Sequence, residues 1–144
     1  MKIGRDISGF STYSCQPKTK DELEKIITDR RVFKDGPDCD LNDIDVSMIT
    51  DMSWLFSDSD FTGDISKWDV SRAKTMYGMF YNSSFNGNIN DWDVSNVLDM
   101  TSMFVLSKFN QDVSNWKINE RCATYDTFFR CPIKEEFKPK SLQK

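Results

Sequence analysis

The same apolar side chains return at a fixed interval of 24 residues. Trp68, Trp92 and Trp116 share one phase. Phe61, Phe85 and Phe109 share another, as do Ile65, Ile89 and Val113; Val46, Val70, Val94 and Ile118; Met52, Met76 and Met100; and Phe56, Phe80, Phe104 and Phe128. A period of this length marks stacked units, each too small to bury its own apolar face. The core of such a chain is shared between neighbouring units along one axis. Such a scaffold presents a surface rather than an active-site cavity.

Composition narrows the class. A length of 144 residues suits one domain. Only 38% of residues are hydrophobic while 29% are charged, so the core must be narrow and regular. The net charge of −4 and a pI near 4.8 argue against a direct nucleic-acid ligand, which wants a basic patch. No apolar run is long enough to span a membrane, so no membrane insertion is expected. The first 13 residues are polar, broken by Gly4 and Gly9, and lack the apolar segment of a secretory signal. A cytoplasmic protein is expected; the alternative is a cell-surface protein whose leader has been removed. Cys15, Cys39, Cys122 and Cys131 form no Cys-x-x-Cys pair, and the chain has no histidine. Zinc sites want paired close spacings, so no metal and no cofactor are expected. The cysteines read as small buried thiols, although Cys122 and Cys131 could bridge if the last unit folds them together.

Three regions follow from the register. Residues 1–39 lie outside it and contain one helix. Thr19 and Glu22 form a Thr-x-x-Glu capping box, Leu23, Ile26 and Ile27 share one face, and Arg30 and Arg31 suit the negative end of the helix dipole. Gly36-Pro37 ends this segment, which reads as an N-terminal cap over the first unit, with an extended piece at residues 1–14. Residues 40–131 are the tandem repeats, and residues 132–144 a C-terminal cap and tail. Within a unit, Trp68-Asp69-Val70 alternates as a short half-buried strand does. Met76, Met79 and Phe80 follow at the spacing of a helical face, with Asp51, Thr75 and Asp99 placed to cap it. Asn86-Gly87 and Thr62-Gly63 turn the chain back. The expected fold class is an α/β repeat of about four coils, with short helices and strands stacked into a parallel β-ladder about 4.8 Å apart.

Ile65-x-x-Trp68-x-Val70 has the apolar spacing that opens a leucine-rich repeat. The fuller pattern, clearest from Phe85-Asn86-Gly87-Asn88-Ile89 through Trp92-Asp93-Val94-Ser95-Asn96-Val97 to Asp99-Met100 and Met103-Phe104, resembles the BspA-like leucine-rich repeat family. That family includes tandem repeats of mycoplasma surface lipoproteins. The resemblance covers about residues 40–131. It implies a leucine-rich-repeat-like solenoid and a bacterial, phage or similar microbial source, and many relatives look like surface adhesins. It carries over no catalytic residues.

Two features are candidates for function. Asp45, Asp69 and Asp93 recur with Ser47, Ser71 and Ser95 two residues later. Stacking would bring these carboxylates to about 5 Å, a repulsion somewhat under about 1 kcal/mol per neighbour in water. Backbone amides, serines or an outside cation must offset it. Such an acidic ladder reads either as a stripe for a basic partner or calcium, or as a hydrogen-bonding device that pins each unit. Its recurrence favours the structural reading. Asp91 and Asp93 share a strand face, but no nucleophile motif or phosphate loop accompanies them, so no enzyme is expected.

The second feature is where units differ. The phases Ser53/Tyr77/Thr101/Tyr125, Trp54/Gly78/Ser102/Asp126, Ser57/Tyr81/Val105/Phe129 and Asp58/Asn82/Leu106/Arg130 drift. Trp54, Tyr77, Tyr81, Val105, Leu106 and Phe129 are apolar where other units are often polar, which suits a contact surface. Equally, Val105, Leu106 and Phe129 could pack on the C-terminal tail, and Trp54 under the N-terminal helix. The expected function is non-enzymatic protein–protein binding, with a protein partner and an open oligomeric state. The alternatives are a phage- or mobile-element-encoded intracellular inhibitor of a host nuclease or defence complex, and a fragment of a bacterial surface adhesin.

Overall fold

The computed structural model describes residues 13–144. The extended segment expected at residues 1–14, and the stretch read for a leader, lie outside the described residues up to residue 12. Four units open at Asp40, Asp64, Asn88 and Asp112 and stack in register. The expected α/β repeat, however, does not form. Among the described residues there is no strand, and parallel pairing is confined to isolated bridges: Cys15–Ile44, Asp40–Asp64, Asp51–Thr75, Thr75–Asp99 and Asp99–Ala123. The single α-helix there is α1, Lys20–Thr28, followed by a π-helical turn at Asp29–Lys34 and 3-10 turns at Glu135–Phe137 and Lys140–Leu142. The leucine-rich-repeat-like solenoid with its parallel β-ladder and short helices is therefore overturned. The units are built from turns.

The reason lies in the backbone hydrogen bonds. Trp68-Asp69-Val70 is closed at both ends by turns, Trp68 N–H to Ile65 C=O at 3.2 Å and Ala73 N–H to Val70 C=O at 2.9 Å, leaving no room for a strand. The segment expected to be helical holds Gly78 at φ 59° and Asn82 at φ 51°, and left-handed residues interrupt a right-handed helix. Consecutive turns replace it: Met79 donates to Met76 C=O, Tyr81 to Gly78 C=O and Ser83 to Phe80 C=O. The alternate amides leave the unit altogether. Met76, Gly78, Phe80 and Asn82 donate to the carbonyls of Asp99, Thr101, Met103 and Val105 at 2.8–3.0 Å. Met52, Trp54, Phe56 and Asp58 do the same to the second unit, and Met100, Ser102, Phe104 and Leu106 to the fourth. Every amide of the segment is thus paired, half locally and half with the next unit, as buried backbone requires.

Short polar side chains make the corners. In the second unit the side-chain oxygens of Asp64, Asp69, Thr75 and Ser83 each accept from the amide two residues on, at Ser66, Ser71, Tyr77 and Phe85, over 2.9–3.2 Å. The same four corners recur at Asp40, Asp45, Asp51 and Ser59 and at Asn88, Asp93, Asp99 and Ser107. Asp51, Thr75 and Asp99 therefore cap turns rather than helices. This is the local bonding by which Asx and hydroxyl turns compete with regular structure. Gly63 is fixed by crowding at such a return: a Cβ there would lie 1.8 Å from the Cys39 carbonyl oxygen.

The apolar columns fill the interior. Phe56, Phe80, Phe104 and Phe128 stack with centroids 5.3–5.6 Å apart, Phe61, Phe85 and Phe109 at 5.9–6.3 Å, and Trp68 on Trp92 at 6.5 Å. Each tryptophan also donates its indole N–H to a carbonyl of the unit before: Trp68 to Leu41, Trp92 to Ile65 and Trp116 to Ile89, at 2.9–3.1 Å. At the N-terminal end, Glu22 N–H donates to Thr19 Oγ1 at 3.2 Å, while the Glu22 carboxylate reaches Lys18 N–H rather than that of Thr19. Leu23 and Ile27 of α1 join the shared core. Arg30 and Arg31 fall in the π-helical turn. Arg30 holds buried Asp43 with both carboxylate oxygens at 2.9 Å, and also pairs with Asp35. Burial opposes the charge of Arg30, but these two carboxylates outweigh it and keep its pKa above the usual value.

Replacing Trp92 with alanine empties a core position and is expected to cost about 3–5 kcal/mol. Trp92→Phe keeps most of the bulk but removes the indole bond to the Ile65 carbonyl, which retains its turn bond from Trp68 N–H, for a loss of about 0.5–1.5 kcal/mol. Urea unfolding of both variants checks the order; a Trp92→Phe variant as stable as the parent would show that the indole bond contributes nothing. Arg30→Ala leaves the buried Asp43 carboxylate without its cation and with only the Ser14 hydroxyl as a side-chain donor, for an expected loss of about 3–5 kcal/mol in the same measurement.

Candidate protein-binding surface

The outer turns of the four units, residues 53–58, 77–82, 101–106 and 125–130, form one continuous face because their backbones are bonded to one another. Two positions in each turn have positive φ: Trp54, Gly78, Ser102 and Asp126 at 52–60°, and Asp58, Asn82, Leu106 and Arg130 at 51–58°. These are two of the four drifting phases. Glycine, asparagine and aspartate tolerate this conformation, whereas other side chains meet the backbone at a cost of about 1–2 kcal/mol. Trp54 and Leu106 are the bulky apolar residues held there, and both are exposed, 42% and 44%.

The face brings three sequence-predicted residues together. The Trp54 ring lies edge-on to Tyr77 and Tyr81, with centroids at 5.0 and 5.7 Å. It rests over Gly78, where a Cβ would come within 2.4 Å of the indole, so a glycine in the second unit makes room for a tryptophan of the first. Trp54 also borders a cleft lined by Ile27, Thr28 and Arg31 of α1 and the turn after it, so it stands beside that helix and is not covered by it. Leu106 lies two units further along, and Phe129 on the last unit is 52% exposed beneath the Arg130 guanidinium at 5.4 Å. Val105 is buried and offers little to a partner. Tyr125, 77% exposed, belongs to the same face. Its phase, shared with Tyr77, was the signal that could have found it.

The acidic column has a local partner for each member. Asp69 Oδ1 accepts from the Ser71 amide and hydroxyl at 3.0 and 2.6 Å, and Asp93 from those of Ser95 at the same distances. The Ser95 hydroxyl and amide hold the Asp93 carboxyl below the usual range. Asp45 accepts from the Ser47 amide and from Gln16 Nε2 at 2.7 Å. The serine of the same unit, not one across a strand, thus offsets the charge.

All four cysteines are free, so Cys122 and Cys131 are not bridged. Burial pushes the Cys122 thiol up to about 11 and raises Cys39 and Cys131, which keeps these thiols protonated and inert near neutrality. Among the described residues no three or more Cys, Asp or Glu side chains converge on a position that could hold a metal ion, and no helix is long and apolar enough to cross a membrane.

A family model described as "Mycoplasma protein of unknown function, DUF285" matches residues 23–139. No curated protein and no solved structure matches the chain.

Leu106 is a residue the backbone would not choose. Leu106→Asn removes a left-handed leucine from an exposed site and is expected to stabilise the fold by about 0.5–1 kcal/mol. A thermal melt checks this; a lower melting temperature would show that Leu106 is held for packing.

Proposed function

We propose that this chain, which belongs to the DUF285 family, is a non-enzymatic protein-binding module whose contact surface is the outer turn face. The observation that carries the reading is the placement of Trp54 and Leu106: exposed, bulky, apolar and at positive φ. A fold selected for stability alone would put glycine or asparagine at those positions, as it does at Gly78 and Asn82. Conformational strain together with an exposed apolar side chain points to a site used by a partner. The aromatic rings nearby supply contact area at small conformational cost. The finer relation, to the BspA-like repeats, rests on the motif from Phe85 to Phe104 and is proposed as kinship of sequence, not of fold. The inhibitor and adhesin readings differ in the partner rather than the surface; neighbouring phage genes would favour the first and secretion genes the second.

The test is capture of a partner from the source organism, followed by two variants. Changing Trp54, Tyr77 and Leu106 to serine together is expected to abolish binding while the fold persists, because these side chains lie outside the core columns. The rival acidic-stripe reading forecasts loss of binding in Asp69→Asn with Asp93→Asn, and an affinity that falls steeply with salt. Binding that survives the triple change but is lost in the aspartate pair would overturn the proposed surface.

A further inference from the structure

The row of bonds between units has two ends, and they are chemically opposite. On the last unit the amides of Thr124, Asp126, Phe128 and Arg130 occupy the phase that, in the three earlier units, donates to the next one. Among the described residues they have no acceptor. They border a groove of about 430 Å³ whose other walls are Lys138, Leu142 and Lys144. Phe128 at its floor is stacked on one ring among the described residues, Phe104 at 5.3 Å, and Lys138 Nζ stands 5.8 Å from its centroid. Phe128 is half-buried, whereas Phe56, Phe80 and Phe104 are buried on both sides.

On the first unit the carbonyls of Asp51, Ser53, Leu55 and Ser57 are the complementary edge, and among the described residues they likewise accept no bond. Helix α1 and the turn after it stand beside this edge, with Glu24, Ile27, Thr28 and Arg31 facing the turn from Trp54 to Ser59. Two copies of the chain cannot satisfy the last unit's amides directly, since donors do not pair with donors and the acceptor edge is flanked by α1 and the turn after it. The occupant must bring carbonyls from an extended backbone. The charge of the groove identifies its chemistry further. Arg130, Lys138 and Lys144 line it against Asp126, with Glu135 paired to Lys138 at 3.0 Å, a local positive excess on a chain of net charge −4.

We infer that the open edge of the last unit is a binding site for an extended acidic peptide segment of a partner protein. Its carbonyls take the amides of Thr124, Asp126, Phe128 and Arg130, an apolar side chain covers Phe128, and carboxylates meet Arg130 and Lys144. The mode is strand-like augmentation of an unpaired backbone edge. This site adjoins the outer turn face at residues 125–130 but draws on the edge amides rather than on Trp54, Tyr77 and Leu106, so either can fail without the other.

A labelled synthetic peptide of residues 50–60 is a suitable probe. It carries the acceptor carbonyls of the first unit, Phe56 in the stacking phase and three aspartates, Asp51, Asp58 and Asp60. Titration into the full chain is expected to saturate. The four amides, exchanging quickly with solvent beforehand, become protected in nuclear magnetic resonance hydrogen exchange. Arg130→Glu and, separately, Lys144→Glu each weaken binding at least about tenfold. No binding up to about 1 mM peptide, binding without protection of those amides, or equal affinity for a peptide with asparagine at the three aspartates, would each overturn the inference.

Discussion

The hydrogen bonds that carry alternate amides of one outer turn to the carbonyls of the next are the constraint on which this structure depends. Phe80 to Met103 and Asn82 to Val105, both at 2.8 Å, fix neighbouring units in one register. Once they form, side chains 24 residues apart must stack. The Phe56, Phe80, Phe104 and Phe128 rings lie within 9° of parallel at a spacing set by the backbone rather than chosen by the rings. The indole bonds of Trp68, Trp92 and Trp116 reinforce the same register. An insertion inside one unit would put every later side chain out of phase.

That row also shapes the surface. To send alternate amides outward while closing local turns with the rest, the backbone turns left-handed twice per unit, at the phases of Trp54 and Asp58. The conformation repeats, but the side chains there do not enter the core, so their identity is free to vary. A rigid and repeated backbone thus carries an unrepeated set of side chains, the arrangement a binding module needs. The same repetition leaves an unfilled edge wherever the stack stops, and the two ends are treated differently: α1 stands beside the carbonyl edge, while the amide edge of the last unit opens into a basic groove.

Much of the interior was legible from spacing alone, because a constant period identifies inward positions without regard to secondary structure. Trp68, Trp92, Met76, Phe80 and Phe104 are all buried. The kind of element was not legible in the same way. Met76, Met79 and Phe80 keep a helical spacing, yet consecutive turns produce it too, because each turn advances the chain by about the same number of residues. The turn signal was present in Asp51, Thr75 and Asp99, in Ser59, Ser83 and Ser107, and in the pair Gly78 and Asn82. It was masked where Trp54 and Leu106 occupy positions that glycine or asparagine would have marked. Trp68-Asp69-Val70 alternates for three residues only, too few to separate a strand from a corner. On the surface, drift marked Trp54, Tyr77, Tyr81, Leu106 and Phe129 but also buried Val105, since an apolar residue in a variable phase can turn either way.

Scalar couplings across hydrogen bonds, measured by nuclear magnetic resonance on isotope-labelled protein, test the central claim most directly. The account predicts couplings from the Phe80 nitrogen to the Met103 carbonyl carbon and from the Asn82 nitrogen to the Val105 carbonyl carbon. A coupling from Phe80 to the Met76 carbonyl instead would show an α-helix in this segment and contradict it.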